Sequence, residues 1–376
     1  MRFPGFEGEW ESKKLGEITD KVNSGKTPLG GEAVYTKKGV LFIRSQNVNN
    51  DKLELDNSIF IPESVNNQMK NSIVKPNDIL LNITGASLGR SCVAPNDFEI
   101  GNVNQHVCII RLEKQYNPRF LQPLFSSKKG QIIFTSLQTG SGREGLNFES
   151  IKGIKLFIPI TDEQQKISNF LCQINERIQT QNKIIEQLET LIKGLYQKIF
   201  DNRKHQFSIL PLKSICSIKK GSQINASELS ETGLYCVMNG GILPSGYHSE
   251  YNSNDDTISI SEGGNSCGYV QYNYTKFWSG GHCYTLNNID EIIKNKYLYY
   301  YLKANENKIM ALRVGSGLPN IQKSALEKFE IKIPILSEQK KIVLALESLS
   351  NKQSTERKLL KMYHLQKQHL LQKLFI

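Results

Sequence analysis

Three short stretches of the chain hold residue types at spacings that chemistry uses. Ser24-Gly25-Lys26-Thr27-Pro28 has the end of a phosphate loop, where backbone amides and a lysine cradle phosphates. Such a loop needs G-x-x-x-x-G-K-[ST] between a strand and a helix, and here neither the first glycine nor the helix is present. A turn whose lysine and amides meet a nucleic-acid phosphate is the expectation instead. Asn117-Pro118-Arg119-Phe120 is close to the N-P-P-[FY] loop of amine methylation, but it lacks the second proline and no glycine-rich cofactor loop follows a strand upstream. Glu330-Ile331-Lys332 mimics the E-x-K of a nuclease, a triplet that alternating charge on a strand also produces. The six histidines include no H-x-x-x-H pair, so metal catalysis is not expected. His106 and His282, at parallel positions in strand-like runs, read as structural residues.

Recognition fits the side chains better than catalysis. Arg and Lys on loops contact phosphates, while Asn, Gln, Ser and Arg read base edges in the major groove. In the first half of the chain the candidates are Ser24, Lys26, Thr27, Arg44, Ser45, Asn47, Ser87, Arg90, Asn104, Gln105, Ser141 and Arg143. In the second half they are Lys219, Lys220, Gln223, Asn239, Tyr247, Asn265, Tyr274, Lys276, His282, Arg313, Ser316 and Asn320. The charge agrees: 47 Lys and Arg against 36 Asp and Glu give +11 and a pI near 9.1. That excess favours a polyanion, most simply nucleic acid, with ribosomal or membrane-surface association as the alternative.

These residues sit between elements that must hold them. Val40 to Val48, Asp78 to Thr84 and Val103 to Leu112 are rich in β-branched residues between Gly, Pro and Asn breakers, and read as strands. The loop Thr84-Gly85-Ala86-Ser87-Leu88-Gly89-Arg90 has glycines for tight turns, and 118–136 reads as helix. After Asp201 the pattern restarts. Leu212-Lys213-Ser214-Ile215 echoes Leu15-Gly16-Glu17-Ile18, 256–270 repeats the strand, glycine loop and strand of 78–93, and 295–310 is the equivalent helix. One frame with two sets of side chains implies two readers with different targets.

One long helix completes each copy. In Asp162 to Phe200, Leu171, Ile178, Ile185, Ile192 and Ile199 form one heptad row, and Ile167, Ile174, Gln181, Leu188 and Leu195 a second, which describes a coiled-coil seam. Asp162 is read as its N-cap. At about 1.5 Å per residue this helix spans on the order of 55 to 60 Å, too long for a domain core. The segment returns at a constant offset of 175 residues, Glu163 matching Glu338, so Ser337 to Phe375 is the second helix. Its seam, Ile342, Leu346, Leu349, Glu356 and Leu360 among others, is interrupted by Gln353 and Lys367. Antiparallel pairing would place Glu356 near Gln181 in a polar layer that fixes register; the alternative is that both face solvent.

The reading is therefore α+β: two tandem α+β domains (1–161 and 204–336) separated by two long antiparallel coiled-coil helices (162–203 and 337–376) in a pseudo-twofold repeat. Seven scattered cysteines, no apolar leader and no run of transmembrane length point to a reduced, cytoplasmic protein with no membrane partner.

The motifs that carry a family likeness are Arg2-Phe3-Pro4-Gly5-Phe6 with Glu9-Trp10, Gly140-Ser141-Gly142, and I-P-x-x-x-E-Q-x-K-I at Ile158 to Ile167 and again at Ile333 to Ile342. Gln-Lys-Ile-Phe and Gln-Lys-Leu-Phe end the two helices. In these the chain resembles the specificity subunits of type I restriction-modification systems. The resemblance implies that each target-recognition domain reads one half of a bipartite, asymmetric sequence in double-stranded DNA, with the helices as spacer. It also implies two methyltransferase subunits and restriction subunits as partners. AdoMet, ATP and Mg²⁺ would then belong to those partners, and this chain would be non-catalytic. The competing reading is a basic coiled-coil scaffold that binds RNA or a protein.

Overall fold

The computed structural model describes residues 2–49, 51–138, 145–200, 207–315, 317 and 319–375. Of the candidate readers, Ser141, Arg143 and Ser316 lie outside these residues, as does the Gly140-Ser141-Gly142 motif. The chain packs as two compact units, Met1–Gln181 with Leu359–Ile376, and Asn182–Lys358.

In the first unit the strands are β1 (Glu11–Lys14), β2 (Thr19–Ser24), β3 (Val40–Ile43), β4 (Val48–Asn49), β5 (Lys52–Leu53) and β6 (Ile59–Ile61). Helix α1 (Glu63–Gln68) precedes β7 (Ile73–Val74), β8 (Ile79–Asn82), β9 (Ser91–Val93), β10 (Gly101–Val103) and β11 (Val107–Leu112). Then come α2 (Pro118–Ser126), α3 (Lys128–Leu137), α4 (Phe148–Lys152), β12 (Lys155–Ile158) and the long helix α5 (Thr161–Phe200). A four-stranded sheet, β2-β11-β8-β9, is the centre of this unit. Its middle strands are apolar on both faces because both faces are covered. Ile79, Leu81, Cys108 and Ile110 join the cluster that holds Phe120, Phe125 and Phe134, while Leu80, Val107 and Ile109 join Ile43 and Val103 on the other side.

In the second unit the strands are β13 (Ser208–Pro211), β14 (Ser217–Lys220), β15 (Tyr235–Met238), β16 (Gly246–His248), β17 (Thr257–Ser261), β18 (Val270–Asn273), β19 (Phe277–Ser279) and β20 (Cys283–Asn287). Helices α6 (Asn295–Ala304), α7 (Glu306–Met310) and α8 (Lys323–Glu327) lead to β21 (Glu330–Ile333) and α9 (Leu336–Leu374). The repeat is visible in the ladders. Sheet β14-β20-β17-β18 matches β2-β11-β8-β9, the parallel pair β15–β19 matches β3–β10, and β13–β21 matches β1–β12. The Glu330-Ile331-Lys332 triplet lies on β21, which alternates outward and inward residues and pairs along its whole length with β13, so its charges follow strand periodicity.

Several boundaries differ from the sequence expectation, for local reasons. The run 103–112 is two strands, because Asn104 accepts the His106 N–H through Oδ1 at 3.1 Å and turns the chain between β10 and β11. The run 40–48 breaks at a tight turn in which Asn47 Oδ1 accepts the Arg44 N–H at 3.0 Å. The helix expected over 118–136 is split at Ser127, whose hydroxyl caps α3 by accepting from Gly130 N. Asn117 caps α2 in the same way, with Pro118 in the first turn, so the Asn-Pro-Arg-Phe motif is a helix start. Asp162 is inside the first turn of α5; the Ile160 carbonyl accepts the first helical bond from Gln164 N.

The E-Q-x-K-I signature has a structural explanation in each unit. Gln164 is 2% and Gln339 0% exposed. Gln164 Nε2 donates to Pro159 O (2.9 Å) and its Oε1 accepts from Asn117 N (2.9 Å). Gln339 Nε2 donates to Pro334 O (2.8 Å) and its Oε1 accepts from Lys294 N (2.7 Å). Each glutamine thus staples the start of a long helix to the loop before the domain's helical layer. The neighbouring Glu163, also buried, accepts the Phe3 N–H at 3.0 Å and pairs with Arg2 at 3.0 Å, which ties down the chain's first residues.

On α5 the expected seam is buried: Ile167, Leu171, Ile174, Ile178 and Gln181 in the first unit, Ile185 and Leu188 in the second. Gln181, at 5% exposure, does not face solvent. On α9 Leu346 is buried, and Ile342, Leu349, Glu356 and Leu360 are half-buried. Packing is antiparallel within each unit. Ile167 and Leu171 share a core with Leu371, Leu374 and Phe375 in the first, and Leu195, Ile199 and Phe200 share one with Ile342, Val343 and Leu346 in the second. The polar interruption Gln353 is matched: its Nε2 lies 3.4 Å from Glu189 Oε1, which the exposed Arg357 Nη2 also approaches at 2.7 Å.

Candidate nucleic-acid interface

At one end of each central sheet, two glycine-bearing loops meet. Gly85 and Gly264 occupy equivalent positions at φ +74°, a left-handed conformation that glycine adopts without strain. Four residues on, Gly89 N donates to Asn82 O and Gly268 N to Ser261 O, both at 2.9 Å, closing the glycine loop. The second loop follows the sheet's outer strand. Gly25 N donates to Asn104 O (3.1 Å) and Gly221 N to Cys283 O (2.9 Å). A Cβ on Gly25 would lie 1.6 Å from Val103 O, and one on Gly221 2.2 Å from Gly280 O, so only glycine fits either place.

The side chains carried on these tips differ. In the first unit His106 Nδ1 is hydrogen-bonded to Thr84 Oγ1 at 2.5 Å and its Nε2 to Gln105 Nε2 at 3.1 Å. Thr27 Oγ1 donates to Gln105 Oε1 at 2.9 Å, so Thr27, Thr84, Gln105 and His106 form one polar chain, with Lys26 and Arg90 exposed on the two flanking loops. In the second unit Lys220, Asn239, Glu262, Asn265, His282 and Asn320 line a cleft of about 500 Å³. Lys220 Nζ donates to Glu262 Oε1 at 2.6 Å, Tyr284 Oη to the same oxygen at 3.1 Å, and Asn239 Oδ1 accepts the His282 N–H at 3.1 Å. Burial, and then the Glu262 carboxylate, push the Tyr284 hydroxyl up to about 12, so it stays a donor. Among the described residues no three His, Cys, Asp or Glu side chains are placed to hold a metal ion.

A family model described as the type I restriction modification DNA specificity domain matches residues 7–190 and 205–362. The chain belongs to that family. A Mycoplasma pneumoniae chain named as a type I specificity subunit is 38% identical over 126 residues, 33% of each chain, and one of Mycoplasma genitalium is 36% identical over 121 residues. This chain spans about a third of the length of those two curated relatives. A type I restriction enzyme specificity subunit of Methanocaldococcus jannaschii is 25% identical over 334 residues, covering 77% of this chain and 76% of the relative. The fold is that of the crystal structure of a type I restriction-modification S subunit from M. genitalium, with a TM-score of 0.70 at 19% identity over 100% of this chain and 99% of that one.

In a member of the specificity family the candidate readers sort by what they touch. Lys26, Thr27, Ser87, Arg90 and Gln105 are gathered on the first unit's tip, and Lys220, Asn239, Asn265, His282 and Asn320 around the second unit's cleft, with Gln223 against Gly281 beside it. Ser24 ends β2 with its hydroxyl turned to Gly25 O. Asn47 and Asn104 are buried: both ends of the Asn47 amide hydrogen-bond the backbone, at Arg44 N and Glu54 O, and Asn104 Oδ1 accepts from His106 N. Arg44 is half-buried on the same turn, with its Nε unpartnered, and Ser45 O accepts from Asn82 Nδ2 at 2.9 Å. Tyr247 is held in β16. Tyr274 packs on Tyr272 and Lys296, and Lys276 Nζ donates to Tyr251 Oη, so these two have structural partners of their own. Lys219 and Arg313 are exposed. Sequence reasoning did not select Thr84, Glu262 or Tyr284. The one available signal was Glu262 itself, a single acidic residue inside Ser261-Glu262-Gly263-Gly264, where the first copy has Asn82-Ile83-Thr84-Gly85.

Proposed function

We propose that this chain is the DNA sequence-recognition subunit of a type I restriction-modification enzyme, with residues 1–161 and 204–336 as its two target-recognition domains. Each domain reads one half of a bipartite, asymmetric site in double-stranded DNA. The helices 162–203 and 337–376 link the domains and carry the methyltransferase and restriction subunits. Catalysis, with AdoMet, ATP and Mg²⁺, resides on those partners. The observation that carries this reading is the pair of sheet tips: the same backbone frame, glycine for glycine, presents Thr27, Thr84, Gln105 and His106 in one copy and Lys220, Asn239, Glu262 and His282 in the other. A frame held constant while its polar side chains change is what two readers of different sequences require, since base edges are told apart by donor and acceptor pattern.

The test is to co-express the chain with a methyltransferase subunit from the same genome and sequence the methylated positions. A single asymmetric, interrupted motif is expected, and exchanging residues 204–336 for those of another family member should change one half only. A stable complex that methylates nothing would favour the scaffold reading.

A further inference from the structure

We propose that Glu262 is a specificity determinant of the second domain, accepting a hydrogen bond from the exocyclic amine of a cytosine or adenine in that domain's half-site. This rests on the DNA-recognition reading above. The repeat fixes what Glu262 replaces. Ile83 N donates to His106 O at 3.0 Å, and Glu262 N donates to His282 O at 2.9 Å, each one residue beyond the last ladder pair of its strand. Ile83 is packed in the first unit's core at 5% exposure. The frame therefore accepts an apolar side chain at this position, and folding does not call for a carboxylate.

A carboxylate here loses most of its hydration and must be compensated by donors. The structure supplies two, Lys220 and Tyr284, and both engage Oε1. On the other side His282 Nδ1 lies 3.7 Å from Oε2, too long for a hydrogen bond. One oxygen is thus held in place by protein and the other is left with acceptor capacity in a cleft lined by Asn239, Asn265 and Asn320. An anionic acceptor repels phosphate, so its ligand is a base edge. In the major groove guanine and thymine present acceptors at the position where cytosine N4 and adenine N6 present N–H donors. Glu262 would reject the first two and accept the others, and the first domain, with isoleucine at this position, has no such reader.

The experiment uses the full chain in complex with its methyltransferase subunit and duplexes of the mapped motif. Each cytosine of the second half is replaced in turn by 2-pyrimidinone, and each adenine by purine, which deletes only the amine. One replacement should weaken binding about tenfold or more, and whether it is a pyrimidinone or a purine duplex identifies the base. In Glu262→Gln that replacement should weaken binding far less, because the neutral amide also offers a donor and tolerates the altered edge, while discrimination in the first half stays unchanged. If no amine deletion in the second half affects the wild-type complex, or if Glu262→Gln keeps the full loss, the assignment is wrong although the chain still reads DNA. If the wild-type complex has no bipartite motif, the recognition reading falls and this inference with it. The amine-deletion series on wild-type protein stands whether or not the variant folds.

Discussion

Lys367 Nζ lies 2.5 Å from Asp51 Oδ2, joining the last turns of α9 to a loop of the first domain. In the heptad pattern of α9, Lys367 is a defect in an apolar row. In the structure its side chain is 15% exposed and that of Asp51 14%, and Ser126 and Gln122 donate to the other carboxylate oxygen. Burial pushes the Asp51 carboxyl up, but the Lys367 ammonium, with the hydrogen bonds from Lys367, Ser126 and Gln122, more than offsets it and holds the group below its usual range.

Removing one partner of this pair leaves an uncompensated buried charge. Lys367→Met should destabilise the protein by about 3 kcal/mol, and the double variant with Asp51→Asn by clearly less than the sum of the two single changes. Denaturant titration of the three variants measures this. The pH dependence follows from the depressed value. The contribution is complete above the unfolded carboxylate pKa of about 3.9, and is lost as pH falls through the lower folded value. The gap between wild type and Asp51→Asn should therefore be constant from neutral pH to about 5 and narrow below about 4.

The two stapling glutamines predict local effects in separate units. Gln164→Leu strands the Asn117 N–H and the Pro159 carbonyl, and Gln339→Leu strands the Lys294 N–H and the Pro334 and Ile292 carbonyls. Each change should cost about 2 to 4 kcal/mol, since buried backbone groups lose their partners. Hydrogen exchange should accelerate near Asn117 in the first variant and near Lys294 in the second. Protection lost equally in both units would show that the staples are not local.

Phosphate contacts and base contacts should separate by their salt response. Lys26 and Arg90 are exposed on the loops that flank the first tip. Lys26→Ala and Arg90→Ala should each weaken binding of the complex to all duplexes alike and reduce the slope of log K against log salt by about one. Changes at Gln105 should alter base preference in the first half and leave the slope near its wild-type value. Filter binding between low and physiological salt distinguishes the two classes.

What the sequence showed depended on how locally each feature is encoded. The long helices and the repeat were legible because heptad rows and the E-Q-x-K-I signature recur over tens of residues. Strand ends were less so: nothing in Val103 to Leu112 marks Asn104 as a residue whose side chain turns the backbone. Asn47 shows the same limit, because a sequence shows an amide without showing that the main chain already occupies both of its ends. Glu262 was missed for the opposite reason. Its partners Tyr284 and Lys220 are 22 and 42 residues away, and only the folded sheet brings them to one carboxylate oxygen. Lys367 and Asp51, 316 residues apart, are the extreme case.

The two kinds of glycine on the tips should respond differently to a methyl group. At Gly85 the backbone is left-handed but no atom lies within 4 Å of where the methyl would sit, so Gly85→Ala meets conformational strain alone, about 1 to 2 kcal/mol. At Gly25 the methyl would lie 1.6 Å from Val103 O and 2.5 Å from its carbonyl carbon, both backbone atoms of β10, which is paired to β3 and β7 and cannot retreat. Accommodation must move the loop that bears Lys26 and Thr27, breaking the Thr27 bond to Gln105 and with it the polar chain to His106 and Thr84. In the methylation assay Gly85→Ala should keep the wild-type motif, whereas Gly25→Ala should leave the second half intact and make the first half degenerate. An unaltered motif in Gly25→Ala would mean that the first domain reads its bases from some surface other than this tip.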